Sequence, residues 1–170
     1  MEREITCCFT GHRPTKLPWG IDEEDGRCLA LKARLAQAVE RAYQQGMRHF
    51  MCGMAQGTDL YFAEEVLRLR DRYPDLTLEA VRPCESQADR WPEAEQARYM
   101  SILDRCNYET LVQHRYDRGC MQRRNRYMVD RSCMILAVYN GEPKGGTAQT
   151  LAYALHNGLK TDILELEEEI

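Results

Sequence analysis

Short apolar runs, each closed by glycine, proline or polar residues, alternate along this chain with longer segments whose apolar positions recur at helical spacing. Residues 5–9 form the first run and end at Thr10-Gly11, which predicts a buried strand. Cys28, Leu31, Leu35, Ala38, Val39 and Ala42 mark one face of a helix over 25–45, with Gly46 as its C-cap. A second strand is predicted at 49–52. Phe62, Val66, Leu69 and Tyr73 then line one face of a helix over 59–73, and Pro74 stops it. Further strands are predicted at 76–81, 108–112, 133–139 and 162–166. Between them come helices at 92–106, 119–131 and 147–157, the last closed by Gly158. The run at 133–139 is the most apolar in the chain and should lie inside the sheet.

Regular strand–helix alternation with continuously apolar strands indicates a parallel sheet covered on both faces. No linker, repeat or low-complexity block interrupts it. The expected architecture is α/β: a single Rossmann-like, doubly wound domain over 1–170 with a mainly parallel sheet. In such a fold, ligands bind beyond the carboxyl ends of the strands. Three loops leave those ends: Thr10-Gly11-His12-Arg13-Pro14, Gly53-Met54-Ala55-Gln56-Gly57-Thr58-Asp59, and Gly141-Glu142-Pro143-Lys144-Gly145-Gly146-Thr147. They should converge into one site.

Each loop suggests chemistry. The second and third open helices, so bare backbone N–H groups and a positive helix end suit an anion. Gly53 and Gly57 permit tight turning, and Thr58 or Asp59 is placed to cap the helix that follows. An acidic Asp59 suits a ribose hydroxyl better than a phosphate. Gly145 and Gly146 leave the backbone bare before Thr147. Arg13 offers a planar fork for phosphate, and His12 a donor or proton shuttle near neutral pH. Asn125 comes from the basic helix, where Asp130 is expected to pair with an arginine. Trp19, Trp91, Tyr99 and Tyr139 are either base-stacking or packing residues. Neither a Walker A loop nor G-x-G-x-x-G is present.

Composition narrows the partners. The formal net charge of −4 gives no bulk case for nucleic-acid binding, although Arg115, Arg118, Arg123, Arg124, Arg126 and Arg131 crowd one stretch. Glu165, Glu167, Glu168 and Glu169 read as a solubilising tail. The eight cysteines include no C-x-x-C and fall mostly in apolar elements, so reduced core thiols are expected and no metal site. With no signal-like start and no run near the ~18 apolar residues of a membrane span, a cytoplasmic protein without membrane contact is expected. A homo-oligomer is compatible with an open sheet, but no surface is singled out.

Cys8-Phe9-Thr10-Gly11-His12-Arg13-Pro14, the Gly53–Asp59 loop and Arg124-Asn125-x-x-Met128-Val129-Asp130 together resemble the YpsA-like proteins of the SLOG superfamily, named for the Smf/DprA and LOG proteins. The resemblance spans the whole chain. It implies a Rossmann-like domain that binds nucleotides or nucleotide-derived ligands, often in sensing or regulation. Gly53-x-Ala55-x-Gly57-x-Asp59 looks like the loop of DprA proteins, which bind single-stranded DNA. Gly145-Gly146-Thr147 looks like part of the P-G-G-x-G-T-x-x-E motif of LOG phosphoribohydrolases, but Thr150 stands at the glutamate position. The leading expectation is therefore binding of a nucleotide-like small molecule, with no other cofactor identified. Hydrolysis of an N-glycosidic or phosphate bond through His12, Asp59 or Glu64 is the alternative. Single-stranded nucleic-acid binding is a second alternative, disfavoured by the net charge.

Overall fold

A computed structural model describes residues 1–166, so Glu167, Glu168 and Glu169 of the acidic tail lie outside the described residues. Six strands, β1 (Thr6–Thr10), β2 (His49–Cys52), β3 (Thr77–Arg82), β4 (Tyr108–Leu111), β5 (Met134–Tyr139) and β6 (Lys160–Glu165), alternate with five helices. The helices are α1 (Gly26–Gln44), α2 (Thr58–Arg70), α3 (Glu93–Arg105), α4 (Cys120–Asp130) and α5 (Gly146–His156). All strand pairs are parallel, in the order β4-β3-β2-β1-β5-β6. The doubly wound fold expected from the alternation is the one observed. Among the described residues no helix is long and apolar enough to cross a membrane.

Strand pleating sorts the core into two layers, because successive side chains point to opposite faces. Cys7, Phe9, Phe50, Leu78, Leu136 and Val138 meet Leu35 and Val39 of α1, Phe62 and Val66 of α2, and Ile102 of α3. Cys8, Met51, Val81, Ile135 and Ala137 meet Met128 and Val129 of α4 and Leu151 and Ala154 of α5. Phe9 and Phe62 stack with ring centroids 4.5 Å apart and so fix α2 over β1. The 59–73 helix stops early, at Arg70. Tyr73 instead sits in the following turn, stacked 4.1 Å from Tyr43 of α1. Asp25 caps α1 by accepting from the Arg27 N–H at 2.8 Å.

The strand order creates the site. From β1 the chain steps outward to β2, β3 and β4, then returns through α4 to place β5 on the other side of β1. Connections therefore diverge from the β1–β5 boundary, and a crevice opens between the two carboxyl ends.

Candidate functional site at the β1 and β5 strand ends

Residues of all three predicted loops line a cleft of about 200 Å³ at this boundary, together with α4. The loops play unequal parts. A Cβ at Gly11 would lie 2.1 Å from Thr58 Oγ1, and one at Gly57 would lie 2.7 Å from the His12 carbonyl oxygen. Both glycines therefore permit the first two loops to touch, and Gly57 also adopts φ +89°. The backbone N–H and hydroxyl of Thr58 both donate to that carbonyl, at 3.1 and 2.9 Å. Thr58 thus ties loop to loop rather than capping α2. Met54, buried, holds a left-handed φ of 64°, a strained geometry for a side chain and one kept by its surroundings.

Asp59 does not cap α2 either. Its carboxylate turns back to accept from the Ala55 N–H at 3.0 Å and lines the cleft. Burial raises its pKa above the ordinary value, against the pull of Arg124, the Ala55 N–H and Arg13. The amino end of α2 is thus occupied by a carboxylate and a donated bond. It is not an anion site.

The amino end of α5 differs. Gly145, its N-cap, sits at φ +97° with no side-chain capping bond, so the first N–H groups of the helix are uncapped. At Gly146 an added Cβ would meet nothing within 4 Å, and this residue lines the cleft. Thr147 is buried beside it, 3.4 Å from His12 Nδ1. Lys16 stands close by, its Nζ 3.9 Å from the Cβ position of Gly145 and 3.0 Å from Glu142 Oε2. Arg13 is exposed on the rim, and its guanidinium has no hydrogen bond or ion pair among the described residues.

His12 is held neutral. The Asn140 N–H donates to its Nε2 at 3.1 Å, which leaves the proton on Nδ1, towards Thr147. Burial and the nearby Lys16 ammonium lower its pKa, more than Glu142 raises it. The imidazole is a fixed strut between the first and third loops, stacked 6.0 Å from Tyr139. Its Nε2 is not open to shuttle a proton, which departs from the role expected for it.

Arg124, one of the arginines crowded into residues 115–131, is a buried wall of the cleft. Its guanidinium donates to the Gly53 carbonyl and, at 2.7 Å, to Asn125 Oδ1. A Cβ at Gly53 would strike that guanidinium at 2.6 Å, so Gly53 is bare for Arg124 and not for a ligand. Because an arginine only donates, Asn125 turns its oxygen to Arg124 and keeps its NH₂ donors for the cleft. Phe9, Thr15, Lys16 and Met121 also line the cleft and were not anticipated. Of these, Phe9 and Arg124 carried a sequence signal: both stand in the motifs quoted above, and Arg124 falls one turn before Met128 on the buried face of α4.

Several expectations are corrected. Glu64 lies outside the cleft, bonded to Arg98 at 2.9 Å in a network with Glu23, so it has no access to the site. Gly53, Gly57, Thr58 and Gly145 shape the loops without lining the cleft. Asp130 accepts from the Tyr153 hydroxyl at 2.6 Å and pairs with no arginine among the described residues. Trp19 is buried and donates to Tyr61 at 3.2 Å, while Trp91 and Tyr99 pack edge to face at 5.2 Å. These rings support the core. The arginine-rich stretch is dispersed too: Arg123 pairs with Asp117, Arg124 is buried, and Arg131 covers the Tyr127 ring. Burial pushes the Cys7 and Cys52 thiols up and the Cys8 thiol to about 12, so none of these three is a thiolate near neutrality.

Comparison with known proteins adds a finding independent of this geometry. A family profile described as the YspA SLOG family matches residues 7–168. The UPF0398 protein YpsA of Bacillus subtilis is 28% identical over 153 residues, covering 86% of this chain and 82% of its own. A UPF0398 protein of Bacillus velezensis is 26% identical over 148 residues, covering 85% and 80%. One from Staphylococcus epidermidis is 23% identical over 170 residues, covering 96% and 89%.

Proposed function

The chain belongs to the YspA SLOG family, and on that premise we propose that it binds a nucleotide or nucleotide-derived ligand in the cleft between the ends of β1 and β5. The observation that carries this reading is Gly146. Protein contacts account for Gly11, Gly53 and Gly57, whereas Gly146 is bare and lines the cleft. Uncapped N–H groups, the helix dipole, Arg13 and Lys16 all favour a phosphate there. Asp59 offers a carboxylate to a ribose hydroxyl, and Asn125 offers amide donors. Cations and uncapped N–H groups combined with a carboxylate acceptor match a nucleotide better than inorganic phosphate alone.

Isothermal titration calorimetry with a panel of nucleoside monophosphates and diphosphates tests this. Binding is expected, lost on Gly146→Asp and weakened about tenfold on Arg13→Ala, the scale of one charge-assisted hydrogen bond. Absence of binding at millimolar ligand, or undiminished binding by Gly146→Asp, overturns it.

Hydrolysis is a second reading, and it rests on Asp59. A cleft carboxyl with a raised pKa is suited to general-acid work. Against it, Thr150 fills the position where the related motif has a glutamate, and its hydroxyl donates to the Gly146 carbonyl at 2.8 Å. Chromatography of nucleoside monophosphates incubated with the protein separates the readings. Free base that disappears with Asp59→Asn supports hydrolysis; intact nucleotide leaves binding alone.

A further inference from the structure

A second concavity abuts the cleft. It runs between α4 and α5, has a volume of about 380 Å³, and shares Met121, Asn125 and Gly146 with the cleft as a common wall. Small-molecule sites commonly measure roughly 300–1,000 Å³. The cleft alone falls below that range, and the two together fall within it.

The chemistry of the trough is one-sided. Arg118 and Arg126 both line it, and neither forms an ion pair with a carboxylate among the described residues. Arg126 lies over the Tyr153 ring, 5.1 Å from its centroid. Gln149 adds an amide from the exposed face of α5. Among the described residues, the one carboxylate hydrogen-bonded or ion-paired to a lining side chain is Asp130, engaged by the Tyr153 hydroxyl. The Thr150 hydroxyl is committed to the Gly146 carbonyl, so it closes the floor and does not bind. From Gly146 to Tyr153 the helix rises about 10 Å, roughly one nucleoside in length.

We propose that the trough takes a second phosphate of the same ligand, so that the molecule bound is a nucleotide carrying two phosphate groups separated by a sugar. One phosphate sits at the amino end of α5 and the other between Arg118 and Arg126. This rests on the nucleotide reading of the cleft. Two sources share this chemistry, a nucleoside bisphosphate and a short linear dinucleotide with a 5′-phosphate.

The test compares AMP, adenosine 3′,5′-bisphosphate and 5′-phosphorylated diadenylate by calorimetry, on the unaltered protein and on Arg118→Ala and Arg126→Ala. Both arginines are exposed, so neither substitution removes core packing. At least one doubly phosphorylated probe is expected to bind about tenfold or more tightly than AMP. Each substitution should remove most of that advantage and leave AMP affinity unchanged. Which probe gains identifies the source. Equal affinity for all three probes, or equal weakening of all three by the arginine variants, overturns the trough proposal while the cleft reading stands. If no probe binds, both fail.

Discussion

Gly57 and Gly146 open two helices on the same edge of the sheet, and their neighbours give them different work. Gly57 has a left-handed φ and a carbonyl where its Cβ would go. Gly57→Ala should cost on the order of 2–3 kcal/mol, from backbone strain plus displacement of the His12 carbonyl, read as a lowered denaturant midpoint. Gly146 has open space instead. Gly146→Ala should leave the midpoint unchanged or raise it, since alanine favours a helix by up to about 1 kcal/mol, yet weaken nucleotide binding about tenfold. Measured side by side, the pair separates a folding glycine from a binding glycine. His12 offers a second residue-scale test. In the unfolded chain it takes a proton near pH 6.5, but in the folded chain only at lower pH. Its burial therefore contributes stability above pH 6.5 that is lost as pH falls through the folded midpoint. Imidazole resonances followed by NMR should show that lowered midpoint and a neutral ring protonated at Nδ1.

At the scale of elements, β2, β3 and β4 are locked in register by a buried polar cluster. His49 Nε2 meets Glu79 Oε1 at 2.8 Å, its Nδ1 meets the Thr77 hydroxyl at 2.7 Å, and Thr110 donates to Glu79 Oε2 at 2.9 Å. Burial alone would raise the Glu79 pKa, but the bonds from His49 and Thr110 outweigh it and the net shift is downward. Its charged form thus stabilises the fold above the ordinary value of 4.5, and that contribution is lost as pH falls through the lowered one. Glu79→Gln keeps the shape but turns an NH₂ group towards one of the two donors. A loss of about 1–3 kcal/mol at neutral pH is expected, with a shallower decline in acid, both measured by urea unfolding across pH. The sequence displayed His49, Thr77, Glu79 and Thr110 only as alternate positions in three predicted strands. Their meeting depends on the register of pairs such as His49 with Thr77 and Ala80 with Glu109, which is a property of the sheet.

Across the whole molecule, stability should follow the strand order. β1, β2 and β5 are buried nearly throughout, whereas the edge strand β4 exposes half its residues. Hydrogen exchange followed by mass spectrometry should therefore be slowest in β1, β2 and β5 and faster in β4; uniform exchange would contradict a core centred on the inner strands. By itself the sequence determined the element order, the doubly wound class and the three loops at the strand ends. Those follow from hydrophobic period and turn chemistry, which are local. Several helix and strand ends moved by a residue or two, because the last turn of a helix is decided by what it packs against. At the site, nine of the anticipated residues line the cleft, from Thr10 to Thr147, since strand topology alone brings their loops together. The tertiary structure alone decided which loop offers free N–H groups. In sequence the two glycine loops look equivalent, but the first is filled by Thr58, Asp59 and the Arg124 guanidinium, and the second is left open. Whether a glycine makes room for the protein or for a ligand depends on atoms far away in the chain, and only folding brings those atoms to it.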